Sequence, residues 1–365
     1  MSIKRILFVI TGLGLGGAEK QVCLLADKFA ELDCEVKIVS LTGNPILKPN
    51  NKSVEIIPLD LRKNIFSVLK KIFYLKKIYS VFRPDVIHGH MFHANIFTRL
   101  VRIISDSKAI LVNTAHSKNE GGKLRMWLYK LTDPLCDLTT NVSHEALSEF
   151  IRVGAFKPTK AVTMYNGIDT NIFKYSAEER KKYRREFISG CNDRLLLSVG
   201  RLTKAKDYPT LLKAMSLLPD DYKLVIVGEG EERNLIESFI VQHQLASRVF
   251  LIGIRDDVNK LYSACDLFII SSLWEGFGLV VAEAMSCQRI VIGTDAGGVR
   301  EVIGNDRFIV PTSQPSLLAQ KIMEINKFDH QTCTDIGYQN RDFICKNFGI
   351  DNIVQKWLHV YKLNN

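Results

Sequence analysis

The sequence has no Cys-x-x-Cys pair, no Asp-x-Asp, and no stretch of about 18 apolar residues free of charge. The last absence excludes a bilayer-spanning helix, and the missing Asp-x-Asp removes the paired aspartates that commonly clamp a diphosphate through a metal ion. Eight cysteines (Cys23, Cys34, Cys136, Cys191, Cys265, Cys287, Cys333 and Cys345) follow no regular spacing and read as buried free thiols in a reducing compartment. Only 10 of the 365 residues are proline and 23 glycine, whereas 46% are hydrophobic, which excludes collagen-like and disordered chains. There is no repeat of solenoid length and no low-complexity tract. The opening apolar run meets a glycine-rich turn without a small-residue cleavage site, so it reads as a first strand and not a signal peptide.

Positive charge is present, but unevenly. The chain carries 49 Lys plus Arg against 39 Asp plus Glu. Residues 1–175 hold 25 basic and 15 acidic side chains and residues 176–365 hold 24 of each, so the whole excess of +10 lies in the first half. Such asymmetry points to an anionic partner of that half. At roughly 150 residues per domain, the length predicts two domains. Short apolar runs alternate with helical-period segments: Arg5–Ile10, Glu35–Leu41, Glu55–Leu59, Asp85–His88, Ile110–Thr114, Leu138–Val142 and Ala161–Tyr165, then Leu195–Val199, Lys223–Val227, Val249–Ile252, Leu267–Ile270, Ile290–Ile292 and Phe308–Val310. This predicts two doubly wound, parallel-sheet α/β domains, 1–175 and 176–350, facing each other across a cleft.

Three segments carry chemistry. Gly12, Gly14 and Gly17 satisfy G-x-G-x-x-G after the first strand, where backbone N–H groups either approach an anion or simply make a tight turn. A dinucleotide site would also need an acid at the end of the second strand; Asp33 and Glu35 sit at its start, which disfavours NAD. Past Val199 come Arg201, Lys204 and Lys206, able to clamp a diphosphate or, equally, to form a solvated basic turn. Ser271–Ser286 contains Glu275 and Glu283 at E-x(7)-E around a helix start at Gly278, whose N–H group and that of Leu279 attract phosphate oxygens while the carboxylates accept from hydroxyls. A capped crossover helix with two exposed acids explains the same pattern. His88, His90 and His93 form H-x-H-x-x-H, but no carboxylate or thiol stands at ligand spacing, so cleft lining or packing is favoured over zinc.

Taken together, Gly16-Gly17, Asn166-Gly-Ile-Asp169, Val199-Gly-Arg201-Leu with Lys206, Glu275-Gly-Phe-Gly-Leu-Val-Val-Ala-Glu283-Ala-Met and Ala296-Gly-Gly-Val-Arg-Glu301 resemble glycosyltransferase family 4, retaining enzymes of the GT-B fold. The resemblance implies two facing Rossmann-like domains, the first for the acceptor and the second for a nucleotide-diphosphate sugar. It also implies a C-terminal helix, 351–363, that packs back on the first domain. By position, Arg201 and Lys206 would bind the diphosphate, Glu283 the ribose and Glu275 the sugar hydroxyls, with Gly16 and Gly17 approaching the diphosphate and His116 beside the donor sugar. His116, Arg201, Lys206 and Glu275 are thus the catalytic candidates, with no metal and no cofactor. One departure is visible: Cys287-Gln-Arg-Ile290 replaces the family's usual Gly-x-Pro turn.

Residues 62–83 contain seven Lys or Arg and no acid. Ile65, Val68, Ile72, Leu75, Tyr79 and Phe82 predict a buried helical seam. Lys63, Lys70 and Lys77 share an outer face with Phe66, Phe73 and Tyr74, which suits an anionic bilayer or a solvated face covered by a loop. No nucleic-acid motif is present. The expectation is a cytoplasmic hexosyltransferase, peripheral on the inner face of the plasma membrane, using a UDP-sugar and a lipid-linked or growing polysaccharide acceptor in bacterial surface polysaccharide or lipopolysaccharide synthesis. The alternatives are a nucleotide-sugar epimerase on the same fold, a nicotinamide-dependent oxidoreductase, and a silent membrane scaffold.

Overall fold

The chain forms two α/β units, residues 1–167 with 350–365, and residues 168–349. The computed structural model describes residues 3–363 apart from 63, 119, 189, 191 and 192, so the readings of Lys63 and Cys191 lie outside the described residues. The first unit runs β1 (Arg5–Ile10), α1 (Gly17–Glu31), β2 (Glu35–Ser40), β3 (Glu55–Pro58), α2 (Ile65–Phe82), β4 (Val86–His90), α3 (Phe92–Ile104), β5 (Ile110–Ala115), α4 (Lys123–Thr132), β6 (Leu138–Asn141), α5 (His144–Arg152) and β7 (Ala161–Thr163). Its parallel sheet has the order β3-β2-β1-β4-β5-β6-β7. In β1, Ile6 to Ile10 are all 0% exposed, as a strand covered on both faces requires. Alternation divides them: Ile6, Phe8 and Ile10 join the core containing α1, and Leu7 and Val9 the core containing α2 and α3.

The second unit contains α6 (Ala177–Arg184), β8 (Arg194–Val199), α7 (Tyr208–Ser216), β9 (Tyr222–Val227), α8 (Arg233–Gln242), β10 (Val249–Leu251), α9 (Val258–Ala264), β11 (Leu267–Ile270), α10 (Leu279–Ser286), β12 (Ile290–Thr294), α11 (Gly298–Ile303), β13 (Ile309–Val310), α12 (Pro315–Ile325) and α13 (His330–Phe348). Its parallel sheet has the order β10-β9-β8-β11-β12-β13. The described strands coincide with the apolar runs, their ends shifted by no more than two residues. In each sheet the strand order reverses beside the first strand, between β1 and β4 and between β8 and β11. The carboxyl ends of those strands are where open α/β sheets bind ligands.

The last helix, α14 (Ile350–Leu363), belongs to the first unit. Ile353, Val354, Trp357 and Tyr361 recur on one of its faces, all buried, and Tyr361 OH lies 2.7 Å from His88 Nδ1.

Two details differ from the sequence reading. The first unit ends at Gly167 and not at 175, because the next residues are held by the second unit: Arg341 donates to the Thr170 and Phe173 carbonyls, and Ser286 Oγ also donates to Phe173 O. In α2, Ile65 is 64% exposed, so the seam narrows to Leu75, Tyr79 and Phe82 with Val68 and Ile72 partly buried. Ile65 is the first residue of the helix, one position past the Asn64 cap, where the next element of the core does not reach. Cys23, Cys34, Cys136, Cys265 and Cys287 are buried, and the described residues form no disulfide.

Candidate active site

In the second unit, two loops meet at the strand reversal. After β8, Gly200 opens a turn that closes as Asp207, at φ +46°, caps α7. A Cβ at Gly200 would sit 2.9 Å from Lys206 Cε and would push that side chain aside. After β11, the loop is stitched to that turn: Leu273 N–H donates to Ala205 O (2.8 Å) and Ser271 Oγ to Lys206 O (2.8 Å). The result is a short ion pair between Lys206 Nζ and Glu275 Oε1, with side chains 18% and 15% exposed, and Ser272 Oγ donates to the same carboxylate oxygen at 2.7 Å. Screening by water is weak there, so the pair holds its geometry better than a surface pair would.

Helix α10 starts beside this pair. Gly278 is its N-cap at φ +88° and contributes no side-chain cap, so the first-turn N–H groups, including that of Leu279, have no side-chain partner at the cap. Glu283 lies in the second turn, 6% exposed, and its Oε2 accepts from Tyr262 OH at 2.7 Å. Burial and this carboxylate push the Tyr262 phenol well above its ordinary range, so it remains a donor. Arg201 is exposed and forms no ion pair among the described residues. The structure therefore joins Lys206 to Glu275, places Glu283 on a buried tyrosine, and leaves Arg201 projecting.

The turn that departs from Gly-x-Pro is closed by its own backbone. Gln288 sits at φ +59°, the left-handed region, and Gln288 and Arg289 N–H groups bond to Met285 and Ala284 carbonyls.

In the first unit, Gly16 caps α1 without a side-chain hydrogen bond, and the Glu19 carboxylate lies over Gly16, so a Cβ there would displace it. Gly12 and Gly14 lie in the same loop, and Gly17, the first residue of α1, is exposed. Asp33 and Glu35 remain at the amino end of β2, where Glu35 pairs with Arg5. His116 follows β5, half-buried. Its N–H donates to Glu120 Oε1 at 2.9 Å, its Nε2 lies 3.0 Å from His90 Nδ1, and burial lowers its pKa to about 4. His88 is held by Tyr361 OH and Thr114 Oγ1, each at 2.7 Å, while His93 is exposed on α3. Among the described residues no three His, Cys, Asp or Glu side chains converge as metal ligands.

Sequence reasoning missed Tyr262, Ser272 and Glu120. Tyr262 lies on a different helix, 21 residues before its partner, and no spacing pattern announces it.

Two family models match in succession: Glycosyltransferase Family 4 over residues 15–172, and Glycosyl transferases group 1 over residues 179–343. The chain is 28% identical over 315 residues, 82% of its length and 83% of the relative's, to the N-acetylgalactosamine-N,N'-diacetylbacillosaminyl-diphospho-undecaprenol 4-alpha-N-acetylgalactosaminyltransferase of Campylobacter jejuni. Among solved structures it resembles Anabaena HepE in complex with UDP-glucose (TM-score 0.81, 21% identity, 98% of this chain and 99% of that one). It also resembles the sucrose-phosphate synthase of Thermosynechococcus elongatus (TM-score 0.87, 20% identity, 99% and 98%). These likenesses identify the fold as GT-B.

Proposed function

This chain belongs to glycosyltransferase family 4, and from that premise we propose that it is a retaining, metal-independent hexosyltransferase. It takes a UDP-sugar as donor and a lipid-linked or growing glycan as acceptor, in the synthesis of a bacterial surface polysaccharide. The observation that carries the donor half is the Lys206–Glu275 pair, set at the β8/β11 reversal next to the uncapped start of α10. A cation, a carboxylate and free helix N–H groups within one loop cluster suit a ligand that is anionic at its diphosphate and hydroxyl-rich at its sugar.

In this reading, Lys206 and Arg201 neutralise the leaving diphosphate together with the N–H groups of Gly278 and Leu279. Glu275 accepts from the sugar hydroxyls and Glu283, oriented by Tyr262, from the ribose. A leaving-phosphate oxygen takes the acceptor proton as the acceptor attacks from the same face, which retains the anomeric configuration. Gly16, Gly17 and His116 contribute from the first unit, an assignment that follows the family pattern. HepE, which binds UDP-glucose, and the Campylobacter relative, whose name includes a diphospho-undecaprenol acceptor, support the UDP and lipid-linked choices.

The acceptor's lipid accounts for α2. Phe66 is 81% and Phe73 62% exposed, with Leu69, Tyr74, Lys70 and Lys77 exposed alongside, a combination that suits an anionic headgroup layer. No described helix is long and apolar enough to cross a membrane. The test is a panel of UDP-, GDP- and ADP-sugars assayed for nucleotide release in the presence of undecaprenyl-diphosphate-linked sugar. UDP-sugar turnover with an anomerically retained product is expected; an inverted anomer overturns the mechanism, and silence with every nucleotide overturns the activity.

A further inference from the structure

At the carboxyl ends of β4 and β5 three imidazoles stand in a row. His88 and His90 share one face of the sheet, their ring centroids 4.0 Å apart, and His90 Nδ1 lies 3.0 Å from His116 Nε2. His88 is committed through both nitrogens, to Tyr361 and to Thr114. His90 is not: it is 1% exposed, yet its Nε2 is buried without a hydrogen-bond partner.

That unpartnered nitrogen fixes where the protons are. Burial keeps both rings of the His90–His116 pair neutral, so each carries a single N–H and one of them donates across the gap. If His116 Nε2–H were the donor, His90 would accept at Nδ1 and its own proton would sit on Nε2, an N–H buried with nothing to receive it. Orphaned buried donors are the rarest kind of unsatisfied polar group. The alternative places the His90 proton on Nδ1, donating to His116, and leaves only a lone pair at Nε2. His116 then accepts at Nε2 and carries its proton on Nδ1, the tautomer a free imidazole populates less.

We propose that His90 is a positioning residue for His116: its Nδ1–H sets the ring plane and forces the Nδ1–H tautomer, so that neutral His116 presents a hydrogen-bond donor. Glu120 holds the same residue by its backbone N–H, at 2.9 Å, so ring and main chain are both fixed. The catalytic consequence rests on the reading of His116 as the group beside the donor sugar; the tautomer does not.

Long-range 1H–15N NMR of the histidine-labelled full chain reads the tautomer directly. Protons on Nδ1 of both His90 and His116 are expected, and an Nε2–H His116 in the wild-type protein overturns the proposal without any assay. In the kinetic arm, His90→Asn keeps an amide donor near the Nδ1 position and His90→Leu removes it. UDP release from the UDP-sugar of fastest turnover should fall about 10- to 100-fold in His90→Leu and recover in His90→Asn, with the donor KM unchanged within about twofold. Equal losses in both variants, or none in His90→Leu, sink it. His116→Ala separates the two ideas: full activity there removes His116 from the site, whereas the NMR result judges His90 alone.

Discussion

Lys206 is paired with Glu275, so in the proposed reading the diphosphate has to compete for it or join the pair as a third charge. In that reading, replacing Lys206 would leave a half-buried carboxylate facing the phosphates and remove a stabiliser of the developing leaving-group charge. Arg201→Ala with Lys206→Ala should therefore lower transfer at least about 100-fold, visible in kcat; near-normal turnover would refute their assignment. Tyr262→Phe is a milder probe, because it deletes one hydrogen bond to Glu283 while keeping the ring. The donor KM should rise about 10-fold with kcat nearly unchanged, as for an interaction made equally in ground and transition states. The contrast explains what sequence could and could not reveal. Glu275, Gly278 and Glu283 are legible because they lie in one segment with fixed spacing. Tyr262, which orients Glu283, is brought there by packing of a separate helix, which leaves no local pattern, and Ser272, only three residues before Glu275, belongs to no charged or glycine motif that would single it out.

Helix α2 shows how far an apolar periodicity can be trusted. Its inner positions Leu75, Tyr79 and Phe82 are buried as spacing predicts, while Val68 and Ile72, nearer the amino end, pack against the same core but are only partly buried. Toward the amino end the apolar residues Ile65, Phe66 and Leu69 are exposed, which no core explains. If that face meets anionic lipid, Lys70→Glu with Lys77→Glu should abolish co-sedimentation with vesicles containing phosphatidylglycerol, and Phe66→Ser with Phe73→Ser should weaken it even at low salt. Sedimentation unchanged in both double variants sinks the membrane reading. The strands were easier to read than this helix. A parallel strand buried on both faces is a nearly unbroken apolar run, as in Leu195 to Leu197, whereas an amphipathic helix announces a face without saying what covers it.

For the molecule as a whole, the row of imidazoles imposes a pH dependence that the net charge does not foretell. His88 and His90 are held well below 6.5 and His116 at about 4, in each case chiefly because burial disfavours the charged ring. The charged and hydrogen-bonding groups facing them are one another, Tyr361, Thr114 and Glu120; no arginine or lysine pairs with these rings among the described hydrogen bonds. Because the folded-state pKa values lie below those of the unfolded chain, the unfolded state binds more protons as pH falls through 6.5. Stability is therefore fully present above about 6.5 and is lost progressively toward 4, by at most about 1.4 kcal/mol per pH unit for each ring. Asp257 and Asp266, whose pKa values are lowered, lose their contribution below this range, whereas burial raises Glu120, which gains stability as pH falls, so in the window from pH 6.5 to 5 three rings act against one opposing carboxyl. Urea midpoints followed by tryptophan fluorescence should fall across that window, Trp357 reporting directly because its ring lies tilted against that of His88, centroids 4.6 Å apart. A midpoint that stays flat from pH 7 to 5 would mean that these rings are hydrated or charged in the folded chain. The neutral, single-proton hydrogen bond assigned between His90 and His116 would fall with it, since that assignment requires two uncharged rings.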